Sequence, residues 1–139
     1  MSRKQQRIAA LVDEYRAHDL NRHYLGYLNC FNRQLFYEAH EVLEHIWLKD
    51  KHGPNGPFYK GLIQLAGAFV HLQRNHARPA AALLKLALAN LKQYSPQHES
   101  LDLDWLCRVI AQWLEKLEQS QFTINPLTAE NAPRLDLLA

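Results

Sequence analysis

Residues 33–48 read RQLFYEAHEVLEHIWL, and residues 49–57 continue KDKHGPNGP. On a wheel at about 100° per residue, Phe36, Ala39, Leu43, Ile46 and Trp47 share one face, and no strict alternation runs through the stretch. The spacing predicts a helix from about Arg33 to Leu48. Asn32 is its expected N-cap, because a side-chain oxygen there accepts from an orphaned first-turn N–H. Two of the six prolines and two of the five glycines fall within 49–57. Proline withholds a donor and glycine admits φ values that other residues avoid, so this segment reads as a loop.

The same period extends outward. Ile8, Leu11, Val12 and Tyr15 predict a first helix near Lys4 to Asp19, and Tyr24, Leu25, Tyr27 and Leu28 a second near His23 to Phe31. Beyond the loop, a fourth helix should open at Pro57 or Phe58, where proline's missing N–H does no harm, and run to Arg74. Pro79 opens a fifth, to about Tyr94. Ser100 is expected to cap a sixth, ending near Gln119, with Asp102 and Asp104 in its first turn and Leu106, Val109, Ile110, Trp113, Leu114 and Leu117 on its face. Residues 122–139 carry Pro126 and Pro133 without a long period, which predicts an extended or partly disordered tail. Short connections favour antiparallel neighbours, so the expected fold class is all-α: a single compact bundle of about five to six helices, one domain over 1–139.

Composition narrows the function. With 139 residues, 47% hydrophobic and 22% charged, the chain has the make-up of one globular domain and not of a disordered or fibrous one. A net charge of +2 is too weak to imply a nucleic-acid partner. The most apolar runs, 61–72 and 79–91, contain Gln64, His71 and Lys85 and fall short of the roughly 20 residues a bilayer span needs. No membrane partner is expected. The N-terminal stretch lacks the apolar core of a secretory signal. Cys30 and Cys107 form no framework, and a reducing, cytoplasmic setting fits them.

One cluster carries chemistry. His40 falls inside the apolar face of the third helix, with Glu44 one turn on at its edge, Glu41 farther round, and Glu38 and His45 pointing away. In the fourth helix Phe58, Leu62, Leu65, Phe69 and Leu72 make one face, and Lys60, Gln64, Gly67 and His71 a second stripe. If these helices are antiparallel, His40 and Glu44 converge with Gln64 and His71, and Tyr37 and Tyr59 flank the mouth. Three readings are open: a satisfied structural pair in the core, a divalent-metal site, or a metal-free pocket with an acid, base or ligand anchor. The spacing H-E-x-x-E is not the H-E-x-x-H of zinc proteases. Trp47, Trp105 and Trp113 sit at apolar helical positions and read as core.

The stretch F-Y-E-A-H-E-V-L-E-H-I-W at 36–47, preceded by F-N-R at 31–33 and followed by F-Y-K-G-L-I-Q-L-A-G-A-F-V-H at 58–71, resembles a family of small helical-bundle proteins catalogued as a domain of unknown function, the three hundred and ninth of that series. The shared pattern is F-x-E-A-H-E-x-x-E-x-x-W, then G-L-I-Q and a downstream His. It falls here on Phe36, Glu38, Ala39, His40, Glu41, Glu44, Trp47, Gly61, Gln64 and His71. The resemblance covers 24–94 and implies a helical bundle and no activity. Gln34 departs from it, since similar proteins commonly have Gly shortly after the Asn.

Two functions follow as expectations. The first is a small binding or interaction module whose cleft of His40, Glu41, Glu44, Gln64 and His71 holds a small molecule or a protein partner, or fixes helix register, with self-association open. The alternative is a metal-dependent hydrolase or related enzyme in which His40, Glu44 and His71 hold Zn, Fe or Mn and Glu41 acts as general base on a bound water.

Overall fold

The computed structural model describes residues 2–16 and 20–139. Six α-helices occur among them: α1 (Arg3–Val12), α2 (Arg22–Asn32), α3 (Phe36–Asp50), α4 (Gly56–Gln73), α5 (Ala77–Leu91) and α6 (Leu103–Gln119). The expected all-α bundle is therefore observed. Among the described residues no helix is long and apolar enough to cross a membrane. The first helix gives way to a 3-10 turn at Asp13–Tyr15, and its expected end at Asp19 lies outside the described residues.

Neighbouring helices run antiparallel, as their cross-contacts show. His23 stacks on His45 and Phe31 meets Phe36 between α2 and α3. Lys60 lies over Trp47 and Phe69 meets Phe36 between α3 and α4. Gln64 bonds Asn90 between α4 and α5. The central element is α4, whose Phe58, Leu62, Leu65, Phe69 and Leu72 are all buried. It also buries Ile63, Ala66 and Ala68, so two broad faces are covered. The Tyr27 hydroxyl of α2 donates to the Leu62 carbonyl at 2.6 Å, satisfying a buried polar group inside this core. Trp113 is buried with it, but Trp47 and Trp105 are only partly so, because each lies where a helix face turns towards solvent.

Close approach of α4 and α5 depends on Gly61. A Cβ built there would stand 2.7 Å from Leu91 Cγ and 3.1 Å from Asn90 Cβ. Gly61→Val is expected to push the two helices apart at a cost of about 1–3 kcal/mol, read as a lower urea midpoint with an unchanged slope.

Helix ends differ from expectation in an instructive way. Asn32 is not the N-cap of α3; it is the last residue of α2, and α3 starts at Phe36. Gln34 sits between them at φ 61°, with its N–H on the Phe31 carbonyl and the Leu35 N–H on the Cys30 carbonyl. That pairing is a Schellman motif, which usually seats glycine at the left-handed position. The departure from Gly therefore falls on a left-handed residue that ends α2. Asn75 closes α4 and Gln121 closes α6 in the same way, so these helices stop without a glycine to mark the place.

Ser100 does not cap α6. It and Glu99, both at positive φ, form the two-residue turn of a small hairpin, β1 (Gln97–His98) with β2 (Leu101–Asp102). A turn with both central residues left-handed suits the strands' right-handed twist. Asp102 is the cap, its carboxylate accepting from the Trp105 N–H at 3.0 Å. The tail is extended and seated on the bundle. Leu135 is buried, and its backbone N–H and carbonyl both bond the Asn32 side chain, at 2.7 and 3.1 Å. The Asn125 side chain donates to the Leu72 carbonyl at 2.6 Å.

Candidate functional site

Antiparallel pairing of α3 and α4 places residue 40 beside residues 64–67, and a cleft of about 280 Å³ opens there. It is lined by Tyr37, His40 and Glu44 of α3, by the α4 stripe from Lys60 through Gln64, Gly67 and His71 to Arg74, and by Leu83 of α5. His40 and Glu44 lie one turn apart, with Nε2 3.3 Å from Oε2, and both are about 30% exposed. They occupy the rim and not the core. The other oxygen of Glu44 is 3.8 Å from the Lys4 ammonium of α1, so both ends of this carboxylate have partners.

On the α4 side, Gln64 is held by α5: its Oε1 accepts from Asn90 Nδ2 at 2.8 Å. Among the described residues its amide N–H has no hydrogen-bond partner, and the residue lines the cleft. His71 has its Nδ1 sealed from solvent without a hydrogen-bond partner. Burial, then the neighbouring His76 and Arg74, push its pKa down, so the ring is neutral near pH 7. The Lys60 ammonium rests 4.2 Å from the centre of the Trp47 ring, a cation–π contact.

Two predicted members lie elsewhere. Glu41 is buried on the α1 side of α3, where Arg7 Nη2 bonds its carboxylate. It faces away from the cleft and cannot serve it as a general base. The reason is tertiary: α1 returns along α3 and sets Lys4 and Arg7 against Glu44 and Glu41, two pairs each three residues apart. Tyr59 is buried at the far end of the bundle, its hydroxyl 3.4 Å from Asn55 Nδ2. One residue from Lys60 is a 100° turn, enough to carry it off the stripe.

His40, Glu44 and His71 line one cleft, but among the described residues no three His, Cys, Asp or Glu side chains are grouped so as to hold a metal ion. Conversely, Arg74, Val70 and Ile63 were missed. Arg74 continues the stripe of Gln64, Gly67 and His71 by one turn and was legible; Leu83 comes from a different helix and was not.

The lining residues run from Tyr37 to Leu83. Residues 24–83 match the model of the family described as Domain of unknown function (DUF309). Over this segment the chain is similar to that family. It holds most of α2, all of α3 and α4 and the first half of α5, and so the whole cleft, while α1, α6 and the tail lie outside it. The match is shorter than the 24–94 expected from the resemblance. The chain is also similar to "Uncharacterized protein YpuF" of Bacillus subtilis (strain 168), 32% identical over 82 residues. That similarity covers 58% of this chain and 47% of the relative, so it spans about half the relative's length. No solved structure matches the chain.

Proposed function

We propose that the protein is a cytoplasmic binding module that takes a small organic ligand in the cleft between α3, α4 and α5. The observation that carries this reading is the cleft itself. Its floor and walls include Gly67, Ile63, Val70 and Leu83, with polar groups of Gln64, His40 and His71 set among them. An apolar concavity with a few placed polar groups is how small-molecule sites are built, and its volume suits a small ligand. Three packed helices hold the lining, so it needs little ordering on binding. Two unpaired thiols, Cys30 and Cys107, accord with a reducing compartment.

Gly67 gives the test. A Cβ there would meet only Leu83 Cδ1, at 3.2 Å, the end of a flexible side chain. Gly67→Leu also gains about 1 kcal/mol of helix propensity, so the variant should fold. In a fragment screen by two-dimensional NMR, hits on the wild type should move the amides of His40, Gln64 and Gly67, and the variant should lose them. Hits that spare these amides, or that persist in Gly67→Leu, would refute the cleft as the binding site.

A further inference from the structure

We infer that the cleft's ligand is a small organic acid, its oxyanion taken at the His71–Arg74 end and its apolar body lying across Gly67 against Ile63, Val70 and Leu83. This rests on the cleft being a ligand site and adds the chemistry of what it accepts.

The argument is a census of what the lining leaves open. Glu44 is its one carboxylate, and it is paired with His40 and with Lys4. Gln64 turns its amide oxygen to Asn90, which leaves its N–H as the unbonded group. His71 Nδ1 is sealed off without a partner. A buried N–H without an acceptor is rarer in proteins than an unpaired acceptor, which puts the proton on Nε2. That nitrogen is then the one left to meet a ligand, as a donor. Among the described residues, neither Lys60 nor Arg74 is in an ion pair. The open groups thus include two cations, an amide N–H and an imidazole N–H, against the second ring nitrogen of His40 as an acceptor and with the Tyr37 hydroxyl at the rim. A site that presents donors and positive charge selects acceptors and negative charge.

Position chooses the end. Lys60 and Arg74 are fourteen residues apart on one helix, about 21 Å along its axis, so one small ligand cannot engage both. The Lys60 ammonium already sits on Trp47. Arg74 has no such contact and lies one turn from His71, where a guanidinium fork and an imidazole N–H can share one carboxylate or phosphoryl group.

The test uses benzoate, phenyl phosphate and neutral benzyl alcohol as probes, titrated against the full chain at low salt and followed at the Gly67 and His71 amides by NMR. At least one acid should bind about tenfold or more tightly than benzyl alcohol, and the carboxylate and phosphate arms show which oxyanion is preferred. Arg74→Gln should remove that preference. Arg78→Gln, outside the lining, should leave the preference intact. Benzyl alcohol binding as tightly as both acids, or a preference that survives Arg74→Gln, overturns the acid assignment while leaving the cleft a ligand site. If none of the three probes moves these amides, the ligand-site reading fails and the acid assignment with it.

Discussion

Phe69→Ala is expected to lower the unfolding free energy by about 3–5 kcal/mol, the range for truncating a buried phenylalanine. Phe69 is fully buried in the second half of α4. Its ring lies 5.8 Å from Phe31, 5.2 Å from Phe36 and 5.0 Å from Trp113, edge-on to the first and last. Those partners come from α2, α3 and α6, three helices that meet at this ring. Alanine would forfeit the transfer energy of the ring and leave a cavity that rigid aromatic neighbours fill poorly. Domains of this size have only about 5–15 kcal/mol of stability, so the variant should melt far below the wild type. Urea titration followed by tryptophan fluorescence measures it, because Trp113 borders the cavity. A loss below about 1 kcal/mol would show that the four elements do not share one cooperative core.

Mild acid should destabilise the protein well before its carboxylates titrate. His23 and His45 stack with ring centroids 5.0 Å apart and planes 16° from parallel, beneath α1. Burial pushes the His23 pKa down to about 4, helped by His45 and then by Arg22 and Lys49. His45 shifts in the same direction, through burial and then Lys49, Lys4 and Arg22. The group's folded pKa thus lies below its unfolded value near 6.5. Above pH 6.5 both states hold the ring neutral and stability is at its full value. As pH falls from 6.5 towards 4, the unfolded chain takes up a proton that the folded chain refuses, and stability drops. For His23, only 8% exposed, the whole window is worth about 3 kcal/mol. Thermal melts at pH 7, 6 and 5 should show a falling midpoint, and His23→Gln should flatten most of that slope. His71, also shifted down, accounts for a remainder. An unchanged slope in His23→Gln would rule out this pair as the source.

Much of this molecule was legible one residue at a time. The apolar period of 36–47 and 58–72 specified two amphipathic helices, and the cluster of Gly53, Pro54, Gly56 and Pro57 marked the break between them, which is narrower than the expected 49–57 because α3 runs on to Asp50 and Gly56 and Pro57 open α4. The stripe of Gln64, Gly67 and His71, set against His40 and Glu44, also followed from the wheel once antiparallel pairing was assumed. Helix ends were less legible. Gln34, Asn75 and Gln121 hold left-handed positions that glycine would have advertised, and Asn32, a plausible cap by type, is spent on Leu135 more than a hundred residues away.

What the sequence by itself determined was periodicity: which faces are apolar, and so that the chain is an all-helical bundle with one polar seam. Only the tertiary structure decided who covers each face. The return of α1 along α3 took Glu41 for Arg7 and tied Glu44 to Lys4, Asn90 of α5 took the acceptor of Gln64, and Leu83 closed the cleft. A helical wheel fixes the angle of a side chain about its own axis; its charge partner and its exposure depend on the helix that packs against it, and that packing is long-range.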